Sequence, residues 1–593
     1  MANINSLRFV ALLCSAMFFV GCGHTLFDGA ESQYSIVVCD DASESEQTAA
    51  EELQSYLKQI SGAELPLKRS DELAKGEKHI FVGYREEYGA RMGIERPAAE
   101  SQTYTYCNVG PNLWIYGGSR WGTMYGVYSF LENELGVRWY SPDYTKIVPH
   151  DEWSFGQISR SETPAITFRF NDSYAAERDY AWLGHNKCNS IWSSVNNKYG
   201  GQVGFWGGHT FAYFVPAKEF FASHPEYFAM RDGERVAYGQ LCLSNPDVLE
   251  ICKERMKKVI ANNPDYWVYS LSQDDHQFMC QCEKCRALEE QYGGHSGLLI
   301  WFVNQVADAI KPIYPDKYIS TFAYQYTRQA PTGISPRDNV VIRLCSIECC
   351  FAHPIEQCEH NESFIRDIKA WSALASRLYI WDYVVNFRQY LAPCPNFGVL
   401  ADNIKTFQKY NAIGLHEEGQ YESNGGAFAE LKTWILAKLM WNPNLDTMAL
   451  AAEFIADFYG PAAPYVQQYF DLCQGLVGDE YMGLFFLERE PIYTDEFVAE
   501  ARTILADAVK AVEGEDEALR HRVDLVNLQI LYLYMMRQPQ DALADGTCDY
   551  VFDFLRRHKI MAIEWNTVEN YINWYSDRYL GQKRGDYKVP LGH

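Results

Sequence analysis

Between residues 160 and 440, short apolar runs alternate with stretches of helical periodicity, and nothing else in the chain constrains its fold as strongly. The runs fall at 166–170, 203–205, 240–243, 266–271, 318–324, 340–345, 378–381 and 413–415. Helical patterns lie between them, for example at 248–261, 297–313 and 362–375. Repeated strand–helix units of this kind imply a parallel sheet, and eight of them a closed (β/α)8 barrel. In such a barrel the chemistry sits where the strands end, on the C-terminal face.

Residues 35–150 read as a separate α/β layer. Strand patterns at 34–39, 79–83 and 112–116, with an edge segment at 103–109, are interleaved with helices at 43–60 and 121–135. The first helix places Leu53, Tyr56, Leu57 and Ile60 at helical spacing. Gly117-Gly118 lacks the spaced glycines and the lysine of a phosphate-cradling loop. After Asn442 helix follows helix, at 446–459, 464–476, 494–513, 515–536 and 551–558. The expected organisation is a leader over 1–21, an α/β sandwich over 22–150, a barrel over 151–440 and an all-α part over 441–593.

The leader has Arg8 as its only charge, an apolar core at 9–20, and then Gly21-Cys22. This resembles a bacterial lipoprotein signal cleaved before Cys22, whose thiol then carries lipid; an ordinary secretory signal is the alternative. Either way the mature chain is expected to be exported. Gly-His-Thr-Leu-Phe after Cys22 lacks an acidic cluster, so the anchor is expected to face the periplasm.

The net charge of −25 excludes nucleic acid and anionic membrane surfaces as natural partners, leaving the lipid as the expected membrane contact. The chain holds 15 Trp, 41 Tyr and 32 Phe, a supply of flat faces that suits stacking on sugars, although most rings of any chain are core. Of 17 cysteines, setting aside Cys14 and Cys22 leaves an odd number, so at least one is outside any intramolecular disulfide. Cys242 and Cys345 sit in apolar runs and read as small buried hydrophobes.

The segment 119–143, SRWGTMYGVYSFLENELGVRWYSPD, resembles the end of the small N-terminal domain that precedes the barrel in glycoside hydrolase families 20, 67 and 84. The closest resemblance is to a bacterial family known as domain of unknown function 4838, over most of the mature chain. It implies a hexosaminidase-like N-terminal domain, a catalytic barrel, a helical C-terminal part and hydrolysis of glycosidic bonds. No cofactor is implied; the implied partner is an oligo- or polysaccharide.

Glycoside hydrolysis needs one carboxyl to protonate the leaving oxygen and a second group to act as base or nucleophile, or to steer the substrate. The segment 266–285, YWVYSLSQDDHQFMCQCEKC, ends a buried strand in Asp274-Asp275. Two carboxylates at a core strand's end are costly unless used, although an Asx turn capping the next helix is the plainer reading. The resemblance makes Asp275 the general acid and Asp274 the group orienting a substrate N-acetyl. Strand alternation instead puts Asp274 on the side of Ser270 and Ser272, the smaller and more lumen-like set. Glu417-Glu418 forms a second carboxylate site, with Glu417 favoured by resemblance as a base and a salt-bridged loop pair as the alternative.

Around these, Arg169, His209, Tyr324, Trp381 and Asp382 are candidate substrate-binding residues. Asp274 as steering group implies an N-acetylhexosaminide with retention; Glu417 as base implies inversion and admits a uronic acid, for whose carboxylate Arg169 is one candidate. The rival from another class is a non-catalytic glycan-binding protein on the same barrel. Cys280-x-Cys282-x-x-Cys285 reads as a disulfide, free thiols or part of a zinc site, with His276 or His295 as fourth ligand, and then as a zinc-dependent hydrolase. Cys349-Cys350 and Cys358 form a second cluster with the same ambiguity.

Overall fold

The computed structural model describes residues 23–73, 76–564 and 566–581; the leader and Cys22 lie outside them. The N-terminal part is a six-stranded sheet. Its order is Ser159–Glu162, Tyr104–Val109, Asn112–Gly117, Lys78–Val82, Tyr34–Val38, Leu67–Arg69. Helix Glu44–Ser61 starts at a reciprocal cap between Ser43 and Glu46 and stops at Gly62 in the left-handed region. With helix Gly122–Leu135 it buries one sheet face, while Phe81, Tyr88, Trp114 and Tyr116 cover the other. The glycines of GGSRWG serve close packing: a Cβ on Gly117 would stand 2.4 Å from the Gly122 carbonyl carbon.

Eight parallel strands close the barrel. They are β1 (Phe168–Asp172), β2 (Ser190–Ile191), β3 (Val203–Trp206), β4 (Val268–Ser270), β5 (Tyr318–Ala323), β6 (Val340–Cys345), β7 (Leu378–Tyr383) and β8 (Ala412–Glu418). One expected strand is displaced. The run 240–243 is no barrel strand, and Ser190–Ile191 takes the second place. A two-residue strand offers no apolar run to detect, whereas Leu241 and Leu243 are apolar because the segment packs down on the core, touching Phe228 through a single bridge.

Alternation along the strands fills the lumen in layers. Phe205, Val268, Val341 and Tyr379 form the lowest, and Gly414 leaves room for the Tyr379 ring. Above them lie Arg343 and His416. After β8 and its helix Ala429–Trp441 the chain is helical, with Thr447–Phe458, Ala463–Gln474, Asp495–Ala511, Glu517–Arg537, Pro539–Ala544, Thr547–His558 and Val568–Leu580. These helices share one continuous apolar core with the barrel. Among the described residues no helix is long and apolar enough to cross a membrane.

Candidate active site

A cleft of about 680 Å³ opens at the C-terminal ends of the strands, within the range of roughly 300–1,000 Å³ usual for ligand sites. Trp192, Phe322, Tyr324, Trp381 and Tyr383 supply aromatic walls, and Asp275, Glu418 and Glu564 supply carboxyls. A second cavity of about 600 Å³ shares Gln325, Ile347, Leu484 and Phe485 with it, so the groove runs on beyond the barrel mouth.

The strand-four end is built as a braced turn. β4 stops at Ser270, and the chain continues through Leu271 and Ser272 before turning. Gln240 braces that turn: its Oε1 accepts the Asp274 amide at 3.0 Å and its Nε2 donates to the Asp274 and His276 carbonyls, each at 2.8 Å. Asp274 faces away from the cleft, its Oδ1 accepting the Ala212 amide at 3.1 Å, and burial raises its pKa. Asp275 lines the cleft and accepts the Tyr324 hydroxyl at 3.1 Å. The turn has undone the strand alternation that favoured Asp274. His209 lies beside it, within 2.5 Å of the Gln273 carbonyl through Nδ1 and packed on Phe322.

β8 stands four strands from β4 in an eight-stranded ring, so its end forms the opposite wall. There Glu418 faces the lumen and Glu417 does not. The Trp381 indole N–H donates to Glu418 Oε2 at 2.6 Å. Burial, and then the nearby Asp172, push the Glu418 carboxyl well above its ordinary range. Beneath it runs a buried chain: Trp192 donates to Asp172 Oδ2 at 2.9 Å, and His416 Nε2 lies 2.6 Å from the same oxygen. His416 Nδ1 is 3.4 Å from Arg343 Nη2. Burial and Arg343 keep His416 neutral, so its Nε2–H donates to Asp172 and its Nδ1 accepts from Arg343. Arg343 lies under the floor, 4.5 Å from the Trp381 ring centroid and 4.7 Å from that of Phe205.

Besides Asp274, three proposed site residues stand outside the cleft. Glu417 and Asp382 are register partners on the helix-facing side of β8 and β7, out of phase with Glu418 and Trp381. Burial raises both, Asp382 to about 6, where Ser346 hydrogen-bonds to it. Arg169 is out of phase with Phe170 and Asp172. Its Nε donates to the Lys187 carbonyl at 2.7 Å, and its guanidinium packs against Tyr125 and Trp441, joining the barrel to the N-terminal helix. Arg169 is fully buried there and does not line the cleft.

Residues that sequence reasoning passed over are Asp172, Trp192, Arg343, His416 and Glu564. Arg343 did carry a signal, as a lone cation inside the apolar run VVIRLC. Glu564 carried none: it arrives from the loop before the last helix, and burial with the charge of Glu422 raises it to about 8. The Cys280, Cys282, Cys285 trio is joined by Cys242 rather than by His276 or His295. His276 lines the cleft, and His295 is 2.7 Å from Glu289.

A parallel eight-stranded barrel with an aromatic, carboxyl-lined cleft at its C-terminal face is a glycosidase-like fold. Among solved structures the chain is similar to BtGH115A, a glycoside hydrolase family 115 4-O-methyl-alpha-glucuronidase with specificity for decorated arabinogalactans. The identity is 11% and the TM-score 0.57, over 95% of this chain and 81% of that one. It also matches a glycoside hydrolase family 138 enzyme targeting pectin rhamnogalacturonan II, at 10% identity and a TM-score of 0.46, covering 92% and 98% of the two chains. CpGH84D matches at 12% and 0.47, covering 93% and 97%. Likeness at such identities concerns the fold alone. No curated protein matches the chain. The family model described as Domain of unknown function (DUF4838) matches residues 139–471, and the chain belongs to that family.

Proposed function

We propose that the protein is a glycoside hydrolase acting on an oligo- or polysaccharide, with Asp275 and Glu418 as its carboxyl pair. The observation that carries this reading is their meeting in one aromatic cleft from opposite sides of the barrel. Burial and Asp172 favour the protonated form of Glu418, the state a general acid requires, and Asp275 at the rim is then the second carboxylate. This exchanges the roles that the resemblance implies and replaces Glu417 by its neighbour. The cleft is lined by the acids Asp275, Glu418 and Glu564 and, among the described residues, by no Arg or Lys to pair a substrate carboxylate, which favours an uncharged sugar such as a hexosaminide over a uronate. The leader pattern supports export and lipid attachment at Cys22, which radiolabelled fatty acid would report and C22A would abolish.

The test is product release from a panel of hexosaminides and uronides by the wild type, D275N and E418Q. Losses of about 10²–10⁴ in kcat are expected for both variants. On aryl glycosides with good leaving groups E418Q should recover most of its rate and D275N should not; the reverse outcome returns the acid role to Asp275. Wild-type binding without turnover, with affinity kept in D275N, would make the protein a glycan-binding one.

A further inference from the structure

Four cysteines from two segments converge beside the strand-four turn. Cys242 follows the bridge between Phe228 and Leu241. Cys280 and Cys282 lie in the loop after β4, and Cys285 sits in the first turn of helix Glu283–Tyr292. All four are buried, and their Sγ atoms lie within 4.8 Å of one another. Cys242 Sγ is 3.7 Å from Cys282 Sγ and 3.8 Å from Cys285 Sγ. A tetrahedral ion with metal–sulfur bonds of about 2.3 Å sets sulfur–sulfur edges of about 3.8 Å. The surroundings suit thiolates. The Met230 amide is 3.3 Å and Arg235 Nη1 3.7 Å from Cys280 Sγ, and the Ser244 hydroxyl is 3.2 Å from Cys285 Sγ.

We propose that Cys242, Cys280, Cys282 and Cys285 bind one zinc ion as a closed tetrathiolate site. Binding releases four thiol protons and leaves a complex of net charge −2, which Arg235 and the Met230 amide offset. With four protein ligands no position remains for water, so the ion is structural and takes no part in hydrolysis. Its role follows from Gln240, two residues before Cys242, which braces the turn carrying Asp275. The ion fastens the 227–242 segment to the 274–285 loop. This proposal stands whether or not the cleft is hydrolytic.

The test is elemental analysis of the full chain purified without chelator, with C242S and C282S in parallel. One zinc per chain in the wild type, lost in both variants, is expected. Cobalt exchanged into the wild type should give thiolate charge-transfer bands and tetrahedral d–d bands, so the result stands even should the variants fail to fold. The assignment is overturned by a wild type without stoichiometric zinc, by iron in its place, or by a disulfide among the four in freshly purified protein. Zinc retained in C242S would overturn it too, placing the ion elsewhere, for instance at Cys350, His353 and Cys358.

Discussion

At the scale of single residues, the cleft is organised by which side of a strand a carboxyl occupies. Glu417 and Glu418 are adjacent and chemically alike, yet one shares a buried layer with Asp382 and the other meets the cleft. Glu418 is pushed up by burial and by Asp172, while the Trp381 indole N–H, which favours the ionised form, pulls it down. Removing that donor in W381F should therefore raise the Glu418 pKa further. If Glu418 must be protonated, activity falls as pH rises through its pKa. The basic limb of the pH–rate profile should then move to higher pH in W381F, a shift read directly from kcat/KM against pH. An unmoved limb would take the acid role from Glu418. The sequence showed a carboxylate pair at this strand end. It did not show which member faced inward, because a one-residue offset in where β8 starts inverts every side chain along it.

At the scale of elements, the strand-four end matters more than the strand. Asp275 reaches the cleft because Gln240 fastens the backbone at Asp274 and His276, and Gln240 belongs to a segment that reads from sequence as a strand. Q240A should loosen the turn without emptying the core. The expected result is a loss of about ten- to a hundredfold in kcat with little change in Tm, since small misplacements of a catalytic group are costly. A Q240A enzyme with wild-type kcat would remove Gln240 from the positioning of Asp275. Strand existence was legible wherever the apolar run was long, as in β5, β6 and β7. It was not legible in β2, where neighbours rather than propensity hold two residues in the barrel.

At the scale of the molecule, loops between the C-terminal helices complete the cleft. The Phe387 amide donates to the Leu484 carbonyl at 3.2 Å, the Glu564 amide to the Phe387 carbonyl at 3.1 Å, and Phe485 lines both cavities. Phe485 is 44% exposed, so F485A should raise KM for longer glycans several-fold and leave Tm unchanged. Equal KM values in F485A and wild type would place the substrate away from this wall. The buried acids also set the pH dependence of stability. Asp172 is raised to about 7, and Glu177 and Glu564 to about 8, mainly by burial. Each holds a proton in the folded state that the unfolded chain gives up, so stability falls as pH rises from about 4 towards 8. Against burial, which raises it, Lys438 and Lys187 hold Glu132 down to about 2, a contribution lost as pH falls below about 4. Tm should accordingly be several degrees higher at pH 5 than at pH 8. The opposite slope would mean that the acids titrate normally.

By itself the sequence determined the succession of layers, because hydrophobic periodicity is a local property that an α/β layer, a barrel and a helical tail each write differently. It also marked Asp274-Asp275 and Glu417-Glu418 as strand-end carboxylates. Only the tertiary structure decided which member of each pair meets the cleft, that Arg169 belongs to a junction with the N-terminal helix, and that Cys242 joins three cysteines some forty residues later. It decided too that Glu564 approaches a site built more than a hundred residues earlier. Those outcomes depend on strand phase and on contacts between segments far apart in the chain. Neither quantity is carried by any short stretch of residues.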